Sequence, residues 1–366
     1  MKVLWLFLTV FSCSTIQNEM QEFSASHPNF NYFGRIDQTS KDGITLISPA
    51  SSVEFDVKGN TVELLLNAGS GSHNYIALEI NGNYEGRRKI MPGKEDTRIT
   101  LNLPKKENHI GIYKATEAAS GDVVFKGIVA EGLLPGKIEK RSTIEFIGNS
   151  ITCGALADDS LVPCGQGVYH DQHNAYLAYG PRVARKLKTN FILSSVSGIG
   201  IYRNWNDEHL REPIMPEVYE NLYLNLDTRR RYVTSPPPDV ISICLGTNDL
   251  SDGDGVTQRL PFNAEKFTQN YIEFVGMLLK HYPKTRIALL NSPMVSPEKS
   301  AVLTTCLEAV KSHFEREHLI QIFTFTLIQP EGCNYHPGIE DHKFMAEELA
   351  PFLKDLLNEP IKDQNE

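Results

Sequence analysis

Around Glu139-Lys140-Arg141 the hydrophobic pattern of the chain changes its period, and the change divides 366 residues into two kinds of structure. Before it, short runs such as SVEFDV, TVELLLN, YIALEIN and TRITLNL alternate apolar and polar residues. Turn signals separate them, with KDG at 41–43, KGN at 58–60, NGN at 81–83 and SGD at 120–122. Period-two strands at that spacing predict an all-β, jelly-roll-like sandwich over residues 24–138. After the change, apolar strands (STIEFIGNS, NFILSSVSG, PDVISICLGTND, TRIALLNSP, LIQIFTF) alternate with amphipathic segments of helical length. Strands apolar on both faces with helices between them predict a three-layer α/β domain over 141–358, built on a parallel sheet. Residues 203–238, ending in SPPPD, read as an irregular excursion over the edge of that sheet.

A net charge of −9 excludes nucleic acid as the main partner, because a polyanion is bound by neutralising its phosphates with Lys and Arg. At the N-terminus Lys2 precedes VLWLFLTVF, an apolar run too short to span a bilayer as a helix. Residues 1–20 therefore read as an export signal, which sends the protein to the periplasm, the cell surface or the medium. VFSC resembles a lipoprotein box with Cys13 as the lipidated residue, ordinary cleavage just beyond being the alternative; membrane contact is expected only through that anchor. Beyond the signal stand Cys153, Cys164, Cys244, Cys306 and Cys333, an odd set that cannot pair completely within one chain. Cys244, inside VISICLG, reads as a buried free thiol. Cys153 and Cys333 flank two of the motifs below and are one candidate bridge, with Cys153 and Cys164 as the short-loop rival; the sequence does not choose a pairing.

Open parallel sheets bind ligands beyond the C-terminal ends of their strands. In this chain those ends carry Ser150 in EFIGNSITCG, Ser197-Gly198-Ile199-Gly200, and Gly246-Thr247-Asn248-Asp249. After the last strand comes GCNYHPG, with His336 before the closing helix. A serine, a histidine, a glycine with a free N–H and an asparagine with two donors form a set suited to acyl transfer. His336 takes the proton of Ser150, and the amides of Ser150 and Gly198 with the Asn248 side chain hold the oxyanion. Gly200 is the rival of Gly198 for that place.

Strand-end Ser, Gly, Asn and His in this order resemble the SGNH (GDSL-type) hydrolase superfamily. EFIGNSITCG, SSVSGIGIYRNW, IMPEVY, LGTNDLSDG and GCNYHPG are similar to segments of carbohydrate esterase family 2 over nearly the whole mature chain. The resemblance implies a β-sandwich joined to an SGNH domain, and removal of acetyl groups from polysaccharides or oligosaccharides without cofactor. It implies Ser150 as nucleophile, His336 as base, and Gly198 and Asn248 as oxyanion donors beside the Ser150 amide, with Asp249 fixing the loop. Two positions depart from the superfamily pattern. Asn149 stands where Asp is frequent, and Cys333 occupies the acidic position of DxxH. His336 must then be oriented by a backbone carbonyl, by the Asn334 amide oxygen or by Glu331. A Ser-His dyad is what the family implies; a catalytically impaired sugar-binding protein and an SGNH esterase of another ester class are the alternatives.

Other residues admit plainer readings. His170 and His173 in HDQH mimic a metal pair, but no third ligand accompanies them in sequence, so no metal is expected. Trp205, Tyr202 and Tyr335 lie close to the proposed donors and base, where a flat ring can stack on a sugar.

Overall fold

The computed structural model describes residues 19–69, 72–136 and 139–360. The proposed export signal and Cys13 fall, apart from its last two residues, outside the described residues. No helix among the described residues is long and apolar enough to cross a membrane.

The first part is antiparallel. Its strands are β1 (Gln21–Ser24), β2 (Asn31–Phe33), β3 (Ile36–Asp37), β4 (Ile44–Leu46), β5 (Ser52–Asn67), β6 (Asn74–Ile80), β7 (Asn83–Ile90), β8 (Thr97–Asn102), β9 (Glu107–Lys114) and β10 (Val123–Leu134). The long β5 pairs with β9 through its first half and with β8 through its second, while β10 runs along both halves. Gly59, with φ +118°, lies between the two halves. The sheet folds there over Val53, Phe55, Val62, Leu64, Ile112 and Phe125, all shut off from solvent.

The second part is a five-stranded parallel sheet in the order β12-β11-β13-β14-β15. Its strands are β11 (Thr143–Gly148), β12 (Asn190–Ser195), β13 (Val240–Cys244), β14 (Arg286–Leu290) and β15 (Ile320–Phe323). The helices are α1 (Ser150–Cys153), α2 (Tyr179–Leu187), α3 (Met215–Val218), α4 (Ala264–His281), α5 (Pro297–Phe314) and α6 (Ile339–Asn358). Alternation along β11 sends Ile144 and Phe146 to one face, where Tyr179 and Val183 of α2 and Met345, Leu349 and Leu353 of α6 cover them. Ile147 goes to the other face with Ile241, Ile243 and Leu289, beneath α4 and α5.

The two parts are joined through buried charge. Arg35 of the first part has no exposed surface, and its guanidinium donates to Ser194 Oγ and to the carbonyls of Tyr219 and Asn221 in the excursion. Glu145 of β11 lies 4.0 Å from it and accepts from the Ser194 and Tyr219 hydroxyls. Burial pushes the Glu145 carboxyl up, and Arg35 pulls it back. Arg35→Ala strands this carboxylate without its cation, so the variant is expected to lose about 3–5 kcal/mol, read from the urea unfolding midpoint. An unchanged midpoint would mean that the pair does not hold the two parts together.

Candidate active site

Ser150 sits where β11 turns into α1. Its strand must pass close to its neighbours, and a Cβ on Gly148 would meet Thr152 Oγ1 at 2.0 Å. Asn149 caps the short helix, accepting from Ile151 N at 3.1 Å. That role needs only a side-chain oxygen, which is why Asn serves where Asp is frequent. As the first residue of α1, Ser150 has an N–H with no partner inside the helix.

The histidine comes from a turn with unusual backbone. Asn334 (φ 48°) and Tyr335 (φ 57°) both lie in the left-handed region, which costs strain in non-glycine residues. This conformation turns the Asn334 carbonyl toward the ring. His336 Nδ1 donates to it at 2.9 Å, and Nε2 lies 3.1 Å from Ser150 Oγ. The ring is thus held in the tautomer that accepts the serine proton. Of the three expected orienters it is the backbone carbonyl that serves. The Asn334 amide oxygen does not, and Glu331 is exposed, its N–H donating to Asp341.

The candidate cysteine bridges are corrected. Cys164 pairs with Cys333, with Cα atoms 5.2 Å apart, while Cys153, Cys244 and Cys306 are buried free thiols. Residues 164 and 333 meet because the loop after α1 folds back against the histidine turn, where Cys333 N donates to Leu156 O. At the position where DxxH places an acid, this chain has a covalent tether on the same strained turn.

Burial depresses the affinity of His336 for a proton below its ordinary 6.5; the Asn334 bond and Glu117 raise it, and His173 lowers it further. A general base works only when unprotonated, so activity falls as pH drops through the folded-state value. The acid limb of a kcat/KM profile is therefore expected below pH 6.5, and a limb clearly above it would contradict this environment.

The two expected oxyanion donors follow β12 and β13, the strands on either side of β11. Gly198 has φ 78° and open space where a Cβ would stand, and Trp205 N donates to its carbonyl at 2.8 Å. No hydrogen bond among the described residues uses its N–H. The Gly200 N–H is already given to Asn204 Oδ1, which separates the two candidates in favour of Gly198. Asn248 Nδ2 spends one hydrogen on Ile199 O at 2.8 Å and keeps the other. Asp249 is buried and accepts from the amides of Ile201, Tyr202 and Arg203, pinning the segment that follows the glycine. Burial pushes its carboxyl up to about 6, with these amides holding it down.

The three aromatic candidates separate. Trp205 is 49% exposed and Tyr335 84% exposed; the backbone of the first bonds Gly198, and the second adjoins His336 in the chain. Tyr202 is withdrawn as a sugar contact: it is 4% exposed, packs on Phe262 and Phe267, and its hydroxyl accepts from Asn263 N. His170 and His173 do not act together. His173 faces Glu117, whereas His170 meets His73 and Asp171, whose ligand atoms lie within 4.8 Å of one another. There His73 and Asp171 already bond each other at 2.5 Å. A cleft of about 740 Å³ lined by Lys140, Lys186 and Lys354 opens at the other end of the sheet, away from the dyad.

A strand-end serine bonded to a histidine, with glycine and asparagine donors on a parallel sheet, defines the SGNH class of hydrolase. Two family models match the chain: carbohydrate esterase 2 N-terminal over residues 32–135, and the GDSL-like lipase/acylhydrolase family over 146–318. An acetylxylan esterase / glucomannan deacetylase of Cellvibrio japonicus (strain Ueda107) is 25% identical over 362 residues, 95% of each chain. The cellulase/esterase CelE of Acetivibrio thermocellus is 25% identical over 90% of this chain, which spans only 40% of CelE's length. A solved family two carbohydrate esterase from Cellvibrio japonicus has the same fold, with a TM-score of 0.81 at 22% identity over 93% of this chain and 98% of that one. The chain thus joins the N-terminal domain of carbohydrate esterase family 2 to a GDSL-like acylhydrolase domain, and its curated and structural neighbours are family 2 carbohydrate esterases, which are carboxylic ester hydrolases.

Proposed function

We propose that this protein is an exported serine esterase that removes O-acetyl groups from plant-type polysaccharides or oligosaccharides through a Ser-His dyad. The observation that carries the reading is His336 bridging Asn334 O and Ser150 Oγ at 2.9 and 3.1 Å. Ser150 Oγ attacks the acetyl carbonyl while Nε2 takes its proton. The oxyanion is received by the Ser150 and Gly198 amides and the free hydrogen of Asn248 Nδ2. Collapse breaks the bond to the sugar oxygen, which leaves with the proton from His336. Water, deprotonated by the same nitrogen, then attacks the acetyl-serine and releases acetate. A carbonyl partner orients the ring and accepts the hydrogen bond from Nδ1–H throughout, so no carboxylate is needed to keep the tautomer.

Export is supported by the N-terminal apolar run and by the Cys164–Cys333 bridge, since disulfides persist in oxidising compartments. Acetylated glycan as substrate is supported by relatives named for acetylxylan and glucomannan, and by two exposed aromatic residues, Trp205 bonded to Gly198 and Tyr335 preceding His336. The test is release of acetate from acetylated xylan and glucomannan, alongside p-nitrophenyl esters of increasing chain length. The expected result is turnover confined to acyl groups of about two to four carbons, absent in Ser150→Ala. Protein that binds oligosaccharide but is inert toward all these esters would instead be a binding protein on an esterase scaffold. Preference for long acyl chains would place it in another ester class.

A further inference from the structure

We propose that Glu117, a residue of the β-sandwich, is a positioning residue of the active site: its carboxylate holds the loop that carries Gly198 and faces the helix that Ser150 opens, making the sandwich part of the catalytic unit. This rests on the esterase reading above.

Glu117 follows β9 in the first part of the chain and is 3% exposed. Its backbone is anchored from within its own part. The buried Lys114 ammonium donates to Glu117 O at 2.6 Å and to the Thr116 carbonyl and hydroxyl, and Thr116 bonds Asn74. From there the side chain crosses into the catalytic part. Oε2 accepts from Ser197 N at 2.7 Å and faces Cys153 Sγ at 3.7 Å, while Oε1 lies 3.5 Å from His173 Nε2. Each of these contacts touches the machinery. Ser197 immediately precedes Gly198, so only the φ and ψ of Ser197 lie between the held amide and the peptide that carries the Gly198 N–H. Cys153 closes the helix that Ser150 opens. His173 accepts from Leu156 N, whose carbonyl holds Cys333 in the histidine turn.

A neutral acceptor could satisfy one N–H, but a fully buried carboxylate is costly and requires charge or several donors to hold it. Here the facing His173 ring and the bond from Ser197 N together outweigh burial and keep the carboxyl below its ordinary range, so it is anionic when the enzyme works. The charged and titratable groups facing it are Lys114 from the sandwich and His173, Cys153 and Tyr169 from the catalytic part. His336 senses both Glu117, which favours its protonated form, and His173, which opposes it. The negative charge therefore stabilises the imidazolium that forms as Ser150 attacks.

The experiment compares Glu117→Gln and Glu117→Ala with wild type in the full chain, using p-nitrophenyl acetate and thermal unfolding as the check of folding. Glu117→Gln keeps an acceptor for Ser197 N and loses the charge. It is expected to fold, to lower kcat about tenfold, and to move the acid limb of kcat/KM to lower pH. Glu117→Ala also releases the loop, and is expected to lose about 10²-fold in kcat with KM within about threefold of wild type. Its loss should be less than additive with that of Asn248→Ala, because both act on one oxyanion site. An unmoved acid limb in a folded Glu117→Gln with wild-type kcat overturns the proposal, as does a loss confined to KM. If Glu117→Ala does not fold, Glu117→Gln alone decides. Wild-type protein inert toward the ester would instead strike at the esterase reading.

Discussion

Ser150→Ala and His336→Ala are each expected to lower kcat for acetyl ester hydrolysis by about 10⁴-fold or more, and the double variant is expected to be no worse than either. The 3.1 Å contact between Oγ and Nε2 makes the two side chains a single reacting unit. A serine hydroxyl without a base is a poor nucleophile at neutral pH, and the base without the hydroxyl has nothing to deprotonate but water. Removing either therefore removes the covalent route altogether. What remains is polarisation of the bound ester by the oxyanion donors. Initial rates on p-nitrophenyl acetate, extended by long incubations for the variants, give the comparison. Losses that multiply in the double variant would mean that the residues act independently, and the dyad would be the wrong description.

The next largest effect is expected at Asn248. Asn248→Ala should lower kcat about 10²- to 10³-fold while leaving KM nearly unchanged, because the donor is used only when the carbonyl oxygen becomes an oxyanion. The geometry argues for a preorganised donor. One hydrogen of Nδ2 is committed to Ile199 O, and Arg259 holds the Asn248 carbonyl at 3.1 Å. Rotation away from the site would break the first of these bonds, so the free hydrogen is aimed before substrate arrives. Separate kcat and KM values on p-nitrophenyl acetate decide the matter. A loss carried by KM alone would make Asn248 a ground-state contact.

Much of this arrangement was legible because it is local. A glycine-bearing turn between an apolar strand and a helix exposes a serine wherever it occurs, and three strand ends of one parallel sheet must lie side by side. Both arguments need only hydrophobic period and chain order. Gly198 and Gly200 could not be told apart that way, since the difference is whether the N–H is already spent on Asn204. Tyr202 and Trp205 lie three residues apart on one loop, yet one ring is packed against Phe262 and Phe267 and the other is half exposed. No periodicity in an irregular segment records that choice.

The residues that support the dyad were hidden for a stronger reason. Every residue has a carbonyl, so nothing in the letters GCNYH marks the one at Asn334 as the partner of His336. It becomes the partner through two left-handed residues and a bridge to Cys164, 169 positions away. Glu117 is equally unmarked in KATEAAS, and its meaning comes only from meeting Ser197 across the junction of the two parts. Chemical identity and local backbone are written in sequence: which strand ends carry a serine, a glycine, an asparagine and a histidine. Which carbonyl, carboxylate and disulfide stand behind them is decided by contacts between distant segments, because an orienting bond depends on distance and direction, and only the packed chain supplies those.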